Sequence, residues 1–278
     1  MNTEQNAEVR RLFDYGRETV DAVANRKMAC PTCHDRGEYR RKTKDGDSAE
    51  TIFCACGKVQ LIQYIAEQKI AVHDRFVRLA GLVPSERSQL SPERQTEVLA
   101  ELRAKPQHSY AFFGPAGTSK TTFCVALYRE RAVRWVNSCR VLPLVGDYGV
   151  QRAKSYLKDY PIYRVSAKKL LEDFHKESLG DVDEHGQKVH PVVNGEKLAR
   201  AGEQGALFLE EIDKVHFTEF KINALFELFD ACYEHGVQLV FNTNLTLEKF
   251  AAQFGPETGP AIFRRVAETC TVYDFFSE

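Results

Sequence analysis

The chain has no apolar run approaching the ~18 residues of a membrane span. Its first residues, MNTEQNAEVRRLF, carry no apolar core of a secretory signal. A spanning protein and a processed export substrate are therefore not expected, and the expected compartment is the cytoplasm. Charge of one sign is also missing. The net charge is −1 over 278 residues, and basic and acidic residues balance both before and after residue 105. No part is a strong polycation, so any nucleic-acid contact must use a local patch. No internal repeat and no low-complexity stretch is found, which excludes a repeat architecture. Tryptophan is nearly absent, with Trp135 alone. What the chain does have is eight cysteines. Without an export signal they read as thiols or metal ligands rather than disulfides.

Hydrophobic periodicity organises the rest. Residues 6–24 and 58–80 read as helical, and Cys30 to Cys56 is a Cys-rich module around a polar, charged centre. Gly81 to Ser91 reads as a linker. Ser91-Pro92-Glu93 opens a helix, with Ser as cap and Pro in the first turn. From Pro106 strands and helices alternate. Strands are expected at 109–113, 162–165, 206–210, 237–242 and 270–275. Helices are expected at 121–131, around Leu170, Leu171 and Phe174, and at 218–235, followed by two short helices. Strands separated by helices imply an α/β fold with a parallel sheet covered on both faces. Residues 132–160 read as an insertion, and 177–195 as an exposed loop or hairpin. The expected domains are 1–80, a linker and helix at 81–105, and a nucleotide domain at 106–278.

The run Gly114-Pro115-Ala116-Gly117-Thr118-Ser119-Lys120-Thr121-Thr122 follows the apolar strand Tyr110 to Phe113. Backbone N–H groups turned inward around a phosphate need glycine at several positions, which Gly114 and Gly117 fill. Lys120 would neutralise the β- and γ-phosphates, and Thr121 would hold Mg²⁺. The helix that begins there adds its positive end. Ser119 departs from the usual pattern, which has Gly before the Lys. If that position needs a positive φ, Ser costs on the order of 1 kcal/mol, so binding is expected to survive while hydrolysis is in question.

A second station is Leu207-Phe-Leu-Glu-Glu-Ile-Asp213, an apolar strand ending in two acids. Glu210 takes the metal place and Glu211 the water-polarising place, with Glu210 one methylene longer than the usual Asp. Asp213 is expected to cap or pair locally. The strand at 237–242 ends in Asn242-Thr-Asn244, of which Asn244 is favoured as the γ-phosphate contact. Ala261-Ile-Phe-Arg264-Arg265-Val266 offers an arginine that could reach a neighbouring subunit's nucleotide.

With these stations in order, the segment from about 106 onward resembles an AAA+ ATPase. More narrowly it is similar to the DnaC/DnaI helicase loaders and the IstB transposition ATPases, through GPAGTSKTT, LFLEEIDKV, FNTNL and AIFRRV. The resemblance implies a form without a C-terminal helical lid. It implies that Lys120 and Thr121 bind nucleotide and Mg²⁺, that Glu211 is the catalytic acid, Asn244 the sensor and Arg265 the finger. Ser119 and Glu210 depart from the family pattern at the chemistry itself.

Cys30-Pro-Thr-Cys33 and Cys54-Ala-Cys56 make two short-spaced pairs, which four thiolates can close around one structural Zn²⁺. A redox pair or free thiols are the alternatives, and His34 could replace one sulfur. Cys-x-x-Cys-His-Asp-Arg-Gly37 resembles the zinc-bearing N-terminal domain of DnaI-type and phage-type loaders, which in that family grips the replicative helicase. Arg36, Arg40, Arg41, Lys42 and Lys44 form one basic region. Arg152, Lys154, Lys158, Arg164, Lys168 and Lys169 form a second, suited to backbone phosphates of single-stranded DNA. The expected function is an ATP-dependent loader of a DnaB-type helicase that binds ATP, Mg²⁺, Zn²⁺ and single-stranded DNA and forms an ATP-dependent homo-oligomer. The alternatives are an IstB-like transposition regulator on duplex DNA, and a nucleotide-binding adaptor with weak or no hydrolysis.

Overall fold

The structure, a computed structural model, describes residues 38–42, 49–53, 62, 65–66, 70, 74, 77–138 and 160–276. The chain divides into two compact units, residues 1–68 with 133–160 and residues 69–132 with 161–278. In the first, β1 (Glu38–Lys42) and β2 (Ala49–Phe53) form an antiparallel hairpin pairing Glu38 with Phe53 and Lys42 with Ala49. Trp135 and Tyr160 meet edge to face with ring centroids 4.9 Å apart. The hairpin falls inside the segment that the sequence presented only as a polar centre between cysteine pairs.

The second unit opens with α1 (Pro92–Ala104), where Ser91 accepts from the Arg94 N–H as the expected cap. Then β3 (Ser109–Phe113) runs into the Gly-rich loop, and α2 (Lys120–Ser138) follows it. The helix expected to stop near Arg131 thus continues through Ser138, into the stretch read as an insertion. No proline or glycine stands in Lys120–Ser138 to stop it. β4 (Ile162–Ser166) leads directly to α3 (Ala167–Leu179), which ends at Gly180 in the left-handed region, φ 74°. Residues 181–190 make a tight turn bridged between Val182 and Lys188. A short helix not anticipated from sequence, α4 (Gly195–Ala201), is capped by Asn194. β5 (Ala206–Glu210), α5 (Glu219–Glu234) and β6 (Gln238–Thr243) follow. The last helices are α6 (Leu247–Ala252) and α7 (Gly255–Thr269) before β7 (Cys270–Asp274). α7 is not short as expected: it runs 15 residues and carries Pro260 inside.

Strands β3 to β7 form one parallel sheet in the order β4-β5-β6-β3-β7. The expected α/β class is therefore present. Side-chain alternation along each strand sorts two cores. Ala111, Phe113, Leu207, Leu209, Leu239 and Phe241 join one cluster with residues of α3, α5 and α7. Tyr110, Phe112 and Phe208 point the other way. Phe112 meets Phe123 of α2 at 5.8 Å, and Phe208 meets Tyr128 of α2 edge to face at 5.4 Å. Phe241 is fully buried and touches Phe113, Phe229 and Phe250. Truncating such a ring to Ala costs about 3–5 kcal/mol. Both faces are covered, which is why these strands read as continuous apolar runs. The Gly-rich loop follows the carboxyl end of β3, Glu210 and Glu211 that of β5 and Asn244 that of β6, while Arg265 lies on α7.

Candidate nucleotide site

The loop between β3 and α2 is built from backbone that few residues tolerate. A Cβ on Gly114 would lie 2.7 Å from the Phe275 Cβ, so only glycine lets the loop pass there. Gly117 has φ 87°. Ser119 sits at φ 61°, so the position does require the left-handed region and Ser occupies it at a cost of about 1 kcal/mol. Thr118 is buried and its hydroxyl donates to the Pro115 carbonyl at 2.9 Å. Pro115 is half-buried, Ala116 and Thr121 are exposed, and Thr122 is half-buried.

Lys120 folds back into this loop. Its ammonium donates to the Gly114 carbonyl at 2.7 Å, the Pro115 carbonyl at 2.6 Å and the Thr118 hydroxyl at 3.2 Å. The residue is only 6% exposed, and burial pushes its pKa down to about 8, partly offset by Asp213 and Cys124. The loop thus places a cation, held by its own carbonyls, at the N-terminus of a 19-residue helix, where the helix dipole favours negative charge. A phosphate would take over those hydrogen bonds. The linker also reaches the loop: the Gln89 N–H donates to the Gly117 carbonyl at 3.0 Å.

The two acids take different positions. Glu210 closes β5 and faces Arg164 of the neighbouring strand β4. The Arg164 Nε and an Nη both donate to Glu210 Oε1, at 3.1 and 2.7 Å, and the side chains are 10% and 17% exposed. The register explains the pairing. Arg164 lies opposite Phe208, so Glu210 is its diagonal neighbour on the same face of the sheet. Burial holds the Glu210 carboxyl above the usual range, against the pull of Arg164. Cys124, one turn after Lys120, is buried within electrostatic reach of Glu210, Arg164 and Lys120, and burial pushes its thiol up to about 12. The pair therefore lies close beneath the loop.

Glu211 follows in the left-handed region, φ 58° and ψ 50°. Its N–H donates to the Asn242 Oδ1 at 3.0 Å, and its carboxylate pairs with Lys214. Asn242 is 3% exposed and its amide also donates to the Cys124 sulfur at 3.4 Å. Asn244 is exposed. Its N–H and side-chain amide both donate to the Asp213 carboxylate at 3.0 Å. So the local pairing expected of Asp213 is with Asn244, while Asn242 braces the turn that carries Glu211.

Arg265, on α7, donates to Asp230 of α5 at 2.7 Å and stacks over the Tyr233 ring at 4.4 Å. Within one chain it is engaged away from the loop. Arg264 is 66% exposed on its side chain, with Glu268 at 3.9 Å.

Residues that sequence reasoning missed are Arg164 and Asn242. Arg164 was grouped with a phosphate-contacting surface, but its guanidinium is turned onto Glu210. The signal was available: a cation in Ile-Tyr-Arg-Val-Ser, an otherwise apolar strand beside another, needs an acid on its own face. Lys168 and Lys169 are exposed and paired with Glu172 and Asp173 one turn on.

Thr121, expected to hold Mg²⁺, is exposed in the first turn of α2, and Glu210, the acid expected opposite it, is bonded to Arg164. The donor set does not fit a metal held from that side. Cys30, Cys33, Cys54 and Cys56 lie outside the described residues. Among the described residues, no group of three or more His, Cys, Asp or Glu is placed to hold a metal ion, and Cys124, Cys232 and Cys270 are buried free thiols. No helix among them is long and apolar enough to cross a membrane.

No protein-family model matches the chain. No curated protein matches it either. Solved structures do align with it. One is described as the DnaC helicase loader: 14% identity, TM-score 0.45, covering 73% of this chain and 98% of that one. Another, DnaI, shows 13% identity and TM-score 0.44, with 70% of this chain and 92% of that one covered. AMPPCP-bound DnaA from Aquifex aeolicus shows 11% identity and TM-score 0.44 over 71% of this chain. The match spans 49%, about half, of that DnaA chain.

Proposed function

We propose that the protein is an AAA+ nucleotide-binding protein of DNA replication, acting as an ATP-dependent loader of a hexameric DnaB-type helicase. The observation that carries the nucleotide part is Lys120. It is a buried cation chelated by its own loop carbonyls, at a helix start, at the carboxyl ends of parallel strands. In this reading the triphosphate displaces the carbonyls of Gly114 and Pro115 from Lys120 and settles against the N–H groups of the loop from Gly117 to Thr122. Glu211, held out by its left-handed backbone, orients the attacking water. Asn242 fixes that turn, and Asn244 with Asp213 senses the γ-phosphate. Arg265 leaves Asp230 to reach a neighbouring subunit's nucleotide when subunits assemble.

The domain bounds we adopt are 1–80, 81–105 and 106–278. The zinc reading of Cys30, Cys33, Cys54 and Cys56 is supported by the hairpin. Glu38 pairs with Phe53, so the start of β1, which one cysteine pair precedes in sequence, lies beside the end of β2, which the other follows. That module would grip the helicase, and single-stranded DNA would lie on the nucleotide domain, in the bacterial cytoplasm. A pull-down of a DnaB-type helicase from host extract, with and without ATP, tests the loader reading. ATP-dependent recovery is expected, and recovery of no helicase in either case rejects it.

A second reading is favoured by the Arg164–Glu210 pair: an adaptor that binds nucleotide and hydrolyses it slowly or not at all. Phosphate release measured beside that of Ser119→Gly separates the two. Equal, sustained turnover in both proteins rejects the adaptor.

A further inference from the structure

The acid that ends β5 has a partner before any ligand arrives. Two nitrogens of Arg164 converge on one oxygen of Glu210, at 3.1 and 2.7 Å, and both side chains are largely buried. A guanidinium in this geometry is a planar, permanent cation matched to a carboxylate. A divalent ion that sought Glu210 would have to approach its other oxygen and share the space with a fixed positive charge. The negative groups in reach of Glu210 are Glu211 and Asp74. The cations in reach of the adjoining Cys124 are Arg164 and Lys120. Part of the positive charge that a metal would bring to this end of the sheet is thus supplied by Arg164 and Lys120.

We propose that Arg164 is a built-in counter-cation to Glu210, so that the site binds a nucleoside triphosphate with little dependence on a divalent cation. This rests on the nucleotide reading above. Arg164 is a positioning residue: it acts through Glu210 and through the local charge rather than by touching the reacting atoms. The inference also explains how Glu can stand where an Asp is usual. A longer acid reaches sideways to the neighbouring strand, two residues along the register, where a shorter one would end near the metal.

The test uses the full chain and a fluorescent ATP analogue, titrated with excess Mg²⁺ and again in EDTA. Wild type is expected to show dissociation constants within about threefold of each other under the two conditions. In Arg164→Met, Glu210 is released, and removal of Mg²⁺ is expected to weaken binding by about tenfold or more. Glu210→Gln keeps the size of the side chain and removes its charge, and its ratio between Mg²⁺ and EDTA is expected to stay within about threefold, so the question stays answerable if Arg164→Met does not fold. A wild type that loses more than about threefold in EDTA overturns the inference while the nucleotide reading stands. A folded Arg164→Met with the wild-type ratio overturns it as well. No binding under either condition overturns the nucleotide reading and this inference together.

Discussion

Ser119 and Glu211 are the described non-glycine residues with left-handed backbone, and they follow the carboxyl ends of β3 and β5. Such conformations persist where the surroundings over-determine them, and they gather at functional sites. Ser119→Gly removes the Cβ penalty, so unfolding in urea should show a gain of up to about 1 kcal/mol. Lys120 gives a prediction in pH. Its folded pKa, about 8, lies below the ordinary 10.5. The unfolded chain therefore binds more protons between these values, and stability should rise with pH across that window. Nucleotide affinity should move the other way, because phosphate needs the ammonium. Affinity is expected to fall as pH passes about 8, and Lys120→Arg should flatten that profile, since a guanidinium stays charged.

At the level of elements, the site depends on where β5 and β6 end. The turn after β5 is held by a side chain from β6, through Asn242 to the Glu211 N–H. Asn242→Leu leaves that N–H without its acceptor and should cost about 1–3 kcal/mol in urea unfolding, with turnover lost. Asn242→Asp keeps an acceptor but buries a carboxylate, so its stability should fall as pH rises through the carboxylate range, which Asn242→Leu should not show. Between α5 and α7, Arg265 and Asp230 make a largely buried pair with side chains 22% and 27% exposed. Asp230→Ala should cost about 1–2 kcal/mol, whereas Arg264→Ala on the exposed face should stay within about 0.5 kcal/mol. If Arg265 crosses to a neighbour, Arg265→Ala abolishes turnover of the assembled protein and Asp230→Ala spares it.

For the whole molecule, the proposed nucleotide site lies within the unit of residues 69–132 and 161–278. The proposed zinc ligands lie in the other unit. Stripping zinc with a strong chelator should therefore release one ion per chain, read by a colorimetric zinc dye. Nucleotide affinity should then change by less than about threefold. The loader reading adds that helicase capture should be lost in the same sample.

Much of the fold was legible in the chain. Tyr110 to Phe113, Ala206 to Glu210 and Val237 to Asn242 are apolar runs of strand length, separated by helical periodicity, and a parallel sheet follows from their alternation. The phosphate loop was legible too, because Gly114, Gly117 and Lys120 are local in sequence and their demands are set by backbone sterics. Hidden from sequence were relations between strands. Arg164 and Glu210 are 46 residues apart, and Asn242 and Glu211 are 31 apart. Only the register of β4 on β5, and the side-by-side ends of β5 and β6, bring them within hydrogen-bond distance. Sequence by itself determined that an anion-binding loop opens a helix behind a buried strand, since that is local stereochemistry. Tertiary structure decided which cation faces which acid there, because burial makes every charge find a partner and packing alone chooses the partner.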